Sequence, residues 1–209
     1  MLFILFISQH YNLNTIVLTY LVVGAAAGMN LYLIYWLFKR PPELSPLFGR
    51  IVFALNIVFG FLAISHIPMD VSSFRKEVML GVLLMLWAND TFAYLVGKNM
   101  GKTKLMPSVS PKKTVEGFVG GAIGALLIGI TLSYFYTSFS MIMWITLALI
   151  VIVFGSIGDL VQSRFKRIAG VKDSGVIMPG HGGIYDRLDS LIFAAPFIYL
   201  YLILVCYVS

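Results

Sequence analysis

Six apolar runs, roughly 15 to 38, 51 to 67, 78 to 96, 118 to 137, 141 to 158 and 190 to 208, constrain this chain more than any other feature. Each approaches the length of about 20 residues that an α-helix needs to cross the hydrocarbon of a bilayer, the second and fifth lying near the short limit. With 59% hydrophobic and 11% charged residues, the chain has too little polar surface to cover a soluble globule. The expected fold is therefore all-α: a polytopic membrane helix bundle of about six transmembrane helices. No linker, low-complexity tract or repeat interrupts it, so residues 1 to 209 are expected to form one domain. Residues 1 to 7 are apolar but too few to span, and no small-residue cleavage site follows them. They are expected to be an interfacial lead-in or the stub of another helix.

The basic residues set the orientation. Three Lys or Arg lie in 39 to 50, two in 68 to 77, five in 97 to 117, none near 138 to 140 and five in 159 to 187. Six alternating spans place 13 of the 15 on one side, which the positive-inside rule makes cytoplasmic. A multi-pass protein of the cell or inner membrane follows, with its charged site on the cytoplasmic side. The net charge of +6 then reflects topology and an anionic ligand. A nucleic-acid partner is not expected, because no base-stacking aromatics interleave with a solvated basic face. The single cysteine, Cys206, can form no internal disulfide. Tyr32, Tyr35 and Trp36, and Tyr199, Tyr201 and Tyr207, read as interfacial belts. Gly24 with Gly28, and Gly120 with Gly124, offer small faces for close helix approach.

Chemistry concentrates in three segments. The third run contains Asp90, and an acid inside a span costs about 2.5 to 3.5 kcal/mol unless it is paired or hydrated. Trp87, Asp90, Thr91, Tyr94 and Lys98 share one helical stripe leading toward a basic loop. That loop, 97 to 117, sets five lysines against Glu116. Within it Ser110-Pro111 is expected to start a turn that presents Lys112, Lys113 and Thr114 to phosphate at the amino end of the next helix.

The third segment, 159 to 190, is a polar block between two spans. If the fifth helix runs on past the membrane surface, Asp159, Ser163, Lys166 and Arg167 fall on one face. Asp186, Asp189 and Ser190 share a face at the start of the sixth helix. Two carboxylates brought to about 4 Å repel by roughly 4 kcal/mol at an effective dielectric of about 20. A divalent cation between Asp159 and Asp186 would reverse that sign. Mg²⁺ suits such a donor set, since it binds through one or two carboxylates plus phosphate oxygens. Zinc does not, with one cysteine in the chain and His181 the only histidine in the cluster. The turn Gly180-His181-Gly182-Gly183 lacks side-chain bulk, so its amides are expected to cradle a phosphate.

These residues resemble the signature of the phosphatidate cytidylyltransferase (CDP-diacylglycerol synthase) family. That signature runs Ser-x-x-Lys-Arg, four residues, Lys-Asp, then Pro-x-His-Gly-Gly-x-x-Asp-Arg-x-Asp. Here it is Ser163, Lys166, Arg167, Lys172, Asp173, Pro179, His181, Gly182, Gly183, Asp186, Arg187 and Asp189. The family's Trp-x-x-Asp-x-x-Ala-Tyr and Ser-Pro-Lys-Lys-Thr-x-Glu-Gly segments are similar to Trp87 to Tyr94 and Ser110 to Gly117. The likeness covers about 85 to 208, and the chain is expected to be short at its amino end relative to typical members.

The resemblance implies attack of a phosphatidic acid oxygen on the α-phosphorus of CTP, giving CDP-diacylglycerol and pyrophosphate. It implies Mg²⁺ held by Asp159 and Asp186, with Asp90 or Asp189 as outer-shell or second-metal ligands, and a homodimer. Lys166, Arg167, Lys172 and Arg187 would hold phosphates, and Ser110 to Thr114 would contact the triphosphate or the lipid phosphate. Catalytic positions are then Asp159, Asp186, Lys172 and Asp189. The rival readings are transfer to an ether or polyprenyl lipid phosphate, a CTP-dependent lipid kinase, and a non-catalytic transporter or scaffold.

Overall fold

A computed structural model describes residues 13 to 39, 45 to 67, 76 to 137, 139 to 171, 174 to 175, 183 and 185 to 208. Among the described residues are six long helices: α1 (Leu13–Lys39), α2 (Pro46–His66), α3 (Lys76–Met100), α4 (Val115–Phe135), α5 (Met141–Ile168) and α6 (Tyr185–Val208). All six are long and apolar enough to cross a membrane, so the protein is a multi-pass membrane helix bundle. Between α3 and α4 lies a small antiparallel hairpin, β1 (Lys104–Met106) and β2 (Ser110–Thr114).

Local chemistry explains the ends. Ser45 caps α2 by accepting from the Phe48 amide at 3.3 Å, with Pro46 in the first turn where its missing N–H costs nothing. Ser140 caps α5 in the same way through the Met143 amide at 3.3 Å. At the other end of α5, Val171 N donates to Lys166 O at 3.0 Å and Gly170 N to Arg167 O at 3.1 Å. Gly170 has φ of 69°, the left-handed cap that a side chain would resist. The fifth helix thus runs on unbroken through the start of the polar block, for ten residues past the apolar run that ends at Gly158.

Two sequence expectations change. The turn between 97 and 117 falls at Pro107 and not at Pro111: Val109 N bonds back to Met106 O at 3.2 Å, with Pro107 in the second position that its fixed φ suits. Pro111 lies within β2 of a two-stranded sheet, where its missing N–H is tolerated at an edge. The hairpin tip is held because Val109 is buried, packed with Leu160, Val161 and Phe193.

Trp36, read as part of an interfacial belt, is fully buried instead. It stacks on Phe165 at 4.9 Å and lies beneath the Arg164 guanidinium at 4.0 Å. Tyr201 ties α6 to α5 through Met143 O at 3.0 Å, and Tyr199 packs on His66. The side chain of Tyr207 lies outside the described residues.

The two glycine pairs also separate. On α4, Gly117, Gly120, Gly121 and Gly124 recur at helical spacing against α3. A Cβ at Gly120 would meet Val96 at 2.5 Å, and one at Gly121 the Asn89 carbonyl at 2.6 Å. Cβ atoms at Gly24 and Gly28 would meet nothing within 4 Å, so that face of α1 is open. Deeper in the bundle, Asn56 donates to Asn30 at 2.7 Å and Asn30 to Phe193 O at 2.9 Å. That link joins α1 and α2 to α6 one turn before Pro196.

Candidate active site

The stripe on α3, the hairpin and the face of α5 meet at a cavity of about 530 Å³. Asp90, Tyr94 and Lys98 enter it from α3, Lys112 and Lys113 from β2, Ser156 and Asp159 from α5, and Ser190 from α6. Helical geometry accounts for the convergence. Ser156, Asp159, Ser163 and Lys166 recur at three- and four-residue steps on α5 and so face one way. The glycine face of α4 lets α3 come close enough for Asp90 to reach the same space.

Asp159 is one-third exposed and pairs directly with Lys113, which is 29% exposed. It also accepts from Ser163 Oγ at 3.4 Å. Asp189, largely buried, accepts from the Ser190 amide at 2.6 Å and from Ser190 Oγ at 3.2 Å. The charges of Asp159, Lys113 and Lys166 act on it, while Asp90 feels Asp159, Lys113 and Arg187. Lys113 is therefore the cation common to three carboxylates.

Asp186 is arranged differently. Its Oδ1 accepts from Gln162 Nε2 at 3.0 Å and Lys166 Nζ at 2.9 Å. Its Oδ2 accepts from Ser174 N and Oγ, both at 2.8 Å, and from Gly183 N at 2.9 Å. Five donors fill the roughly four lone-pair sites of a carboxylate. As arranged here Asp186 fastens residues 174 and 183 to α5, and it does not line the cavity that Asp159 and Asp90 share.

Other expected site residues have other partners. The Gly183 amide, expected to cradle phosphate, is engaged by Asp186 because Gly183 is packed edge-on to Ser174, where a Cβ would fall 2.7 Å from the hydroxyl. Thr114 is buried, and its hydroxyl caps α4 by accepting from the Gly117 amide at 3.1 Å. Glu116 folds back to accept from the Lys102 and Thr103 amides at 3.0 to 3.1 Å. Arg167 donates its Nε to Val109 O at 3.4 Å, holding the hairpin tip. Arg164, which sequence reasoning counted only as part of the block, donates to the carbonyls of Trp36 and Leu37 at the end of α1. Ser110 lies at the start of β2. Arg187 is exposed on the first turn of α6. Lys172, Asp173, Pro179, His181 and Gly182 lie outside the described residues.

Sequence reasoning missed Asn89, Ser156 and Gln162. The signal for the latter two was present, since Ser156 is one turn before Asp159 and Gln162 nearly one turn after it. Asn89 Oδ1 and Gln162 Oε1 are buried with no hydrogen-bond partner among the described residues.

A Mg²⁺ ion fits this donor set at Asp159. That carboxylate is partly exposed in a cavity with a second acid, Asp90, and with Lys98, Lys112 and Lys113. Among the described residues no group of three or more His, Cys, Asp or Glu forms a cage. An ion held by Asp159 would complete its shell with phosphate or water oxygens.

Six membrane-length helices, four of which line with the hairpin a cavity of carboxylates and lysines, define a polytopic membrane protein. The model of the cytidylyltransferase family matches residues 1–205, and the chain belongs to that family. It is 52% identical over 157 residues to the phosphatidate cytidylyltransferase of Staphylococcus aureus strain COL, covering 71% of this chain and 60% of that protein. The phosphatidate cytidylyltransferase of Staphylococcus haemolyticus is 49% identical over 127 residues, 60% of this chain and 48% of that protein. That of Staphylococcus epidermidis is 46% identical over 157 residues, 71% of this chain and 60% of that protein. The match thus spans about three fifths or less of the length of these curated relatives.

Proposed function

We propose that this chain transfers the cytidylyl group of CTP to phosphatidic acid on the cytoplasmic side of the membrane, in phospholipid biosynthesis. A phosphatidate oxygen forms a bond to the α-phosphorus, the bond from that phosphorus to the bridging oxygen breaks, and pyrophosphate leaves with the electron pair. A phosphomonoester carries about −1.5 to −2 charge at neutral pH, so it needs no strong base, and the barrier is the repulsion of two anions. The observation that carries the reading is a single cavity in which Asp90 and Asp159 meet Lys98, Lys112 and Lys113 beside membrane-length helices.

Mg²⁺, when bound, would neutralise part of the triphosphate charge. Asp159 would hold it, with Asp90 or Asp189 as the second carboxylate. Lys112 and Lys98 would bind phosphate oxygens and orient the nucleotide for in-line attack. Arg187, Lys172 and the turn at His181 and Gly182 would add to the anion site. Asp186 supports the site as the post that sets Lys166 and residues 174 and 183. To join a metal it would have to release some of its five donors. The cytoplasmic assignment rests on the 13-to-2 bias of basic residues. A homodimer belongs to the same reading, supported by the open face of Gly24 and Gly28 on α1.

The test uses purified protein in phosphatidate-containing nanodiscs with CTP labelled at the α or the γ phosphorus. Label reaching lipid from the α position only, with pyrophosphate released, is the expected result. Transfer of γ-label would make the protein a lipid kinase. Incorporation only when ether or polyprenyl phosphate replaces phosphatidate would reassign the acceptor.

A further inference from the structure

Lys113 occupies an unusual position for a phosphate-binding lysine. Its ammonium is paired directly with Asp159, and Asp90 and Asp189 both feel its charge from other helices. Lys113 is the cation these three carboxylates share, with Lys166 also acting on Asp189 and Arg187 on Asp90. Part of the cost of gathering acids from α3, α5 and α6 is offset by this ammonium, delivered on β2. A lysine ammonium is also a strongly hydrated, flexible point charge on a long stem, and at 29% exposure it has room to withdraw.

The hairpin can let it withdraw without coming loose. Val109 is buried at the tip and Arg167 holds the Val109 carbonyl at 3.4 Å, so the strand stays docked when the ion pair opens. Thr114, the next residue, is fixed as the cap of α4, which limits any movement to the Lys113 side chain and its immediate backbone.

We propose that Lys113 is a resident counter-ion of Asp159 that a divalent cation displaces, and that metal entry frees its ammonium for a nucleotide phosphate. This rests on the reading of Asp159 as a metal ligand. A +2 ion replaces a +1 ammonium at the same carboxylate, and the freed lysine meets the phosphates that arrive with the ion. The charge of Asp159 is thereby balanced before the ion arrives, and the two ligands of the reaction enter in a coupled way. Asp159 cannot satisfy the metal and Lys113 equally, so removing the lysine should strengthen metal binding even as it weakens nucleotide binding.

The experiment measures Mn²⁺ binding by electron paramagnetic resonance on the full chain in nanodiscs without CTP. Lys113→Met is expected to bind Mn²⁺ about fivefold more tightly than wild type, the loss of one partly exposed ion pair, and Lys113→Arg to stay near wild type. A wild-type measurement guards against misfolded variants: acetylation of Lys113 by a water-soluble ester, read by mass spectrometry against Lys112, should rise when Mg²⁺ is added. Unchanged or weaker Mn²⁺ binding in Lys113→Met, with Lys113 acetylation indifferent to Mg²⁺, overturns the proposal while leaving Asp159 as ligand. Mn²⁺ binding that is absent from wild type, or unaffected by Asp159→Asn, removes the metal reading itself and this proposal with it.

Discussion

Asp159 and Asp186, both expected from the sequence and its family resemblance to be metal ligands, are held in opposite ways. Asp159 keeps one ion pair and one long hydrogen bond, at the edge of a cavity. Asp186 has every lone pair engaged. Their substitutions should therefore differ in kind. Asp159→Asn is expected to lower turnover by at least about 100-fold with little change in thermal stability, read by α-label transfer and by unfolding in detergent. Asp186→Asn removes the charge paired with the Lys166 ammonium, 18% exposed, leaving Asp189 as an acid that still acts on it, so the loss is at most about 3 to 5 kcal/mol. A clear drop in melting temperature should accompany any loss of activity. Equal stability of the two variants would contradict the division. The presence of both acids was legible in the sequence. Their division of labour was not, because it depends on Gln162, Ser174 and Gly183 reaching one of them and not the other.

Among the elements, α4 and the hairpin decide how the site is assembled. The glycine face of α4 is packed to the point where added atoms collide, whereas Gly24 and Gly28 on α1 face open space. Gly121→Val is expected to destabilise by about 1 to 3 kcal/mol or more and to lower folded yield, since the nearest atom is backbone. Gly24→Val should leave the melting temperature of the single chain unchanged. Identical spacing in the two helices hid this difference, because small residues permit close approach without specifying which helix comes. At the start of α4, Thr114→Ala removes the cap on Gly117 and should cost about 1 kcal/mol. The loss should appear in stability more than in CTP affinity. The hairpin itself was not legible: β1 is three residues long, too short for an alternating pattern, and its tip is fixed by the distant Leu160, Val161 and Phe193.

At the scale of the whole molecule, the amino-terminal helices are joined to the site by polar groups inside the bundle. Asn30 and Asn56 hold α6 at the Phe193 carbonyl, about one turn after Asp189 and Ser190, and Arg164 fastens the end of α1 to α5. Asn56→Leu is expected to cost about 0.6 to 2 kcal/mol, the range for hydrogen bonds between membrane helices. Labelling of single cysteines in a Cys206→Ser background should report Lys112→Cys as reactive from the cytoplasmic side only. Reactivity from the opposite face would invert the proposed topology.

What the sequence by itself determined was the membrane-length helices of the bundle, the loops in which the basic residues gather and the family. Span length and charge bias are local quantities that a bilayer reads directly, and a long motif with fixed spacing survives any ignorance of packing. Tertiary structure alone decided that Lys113 closes on Asp159, that Asp186 fastens residues 174 and 183, and that Trp36 lies inside. Each of these depends on groups far apart in the chain, whose meeting is set by how closely α3, α4, α5 and α6 pack. That distance follows from side-chain volumes at the interfaces, and no window of sequence contains it.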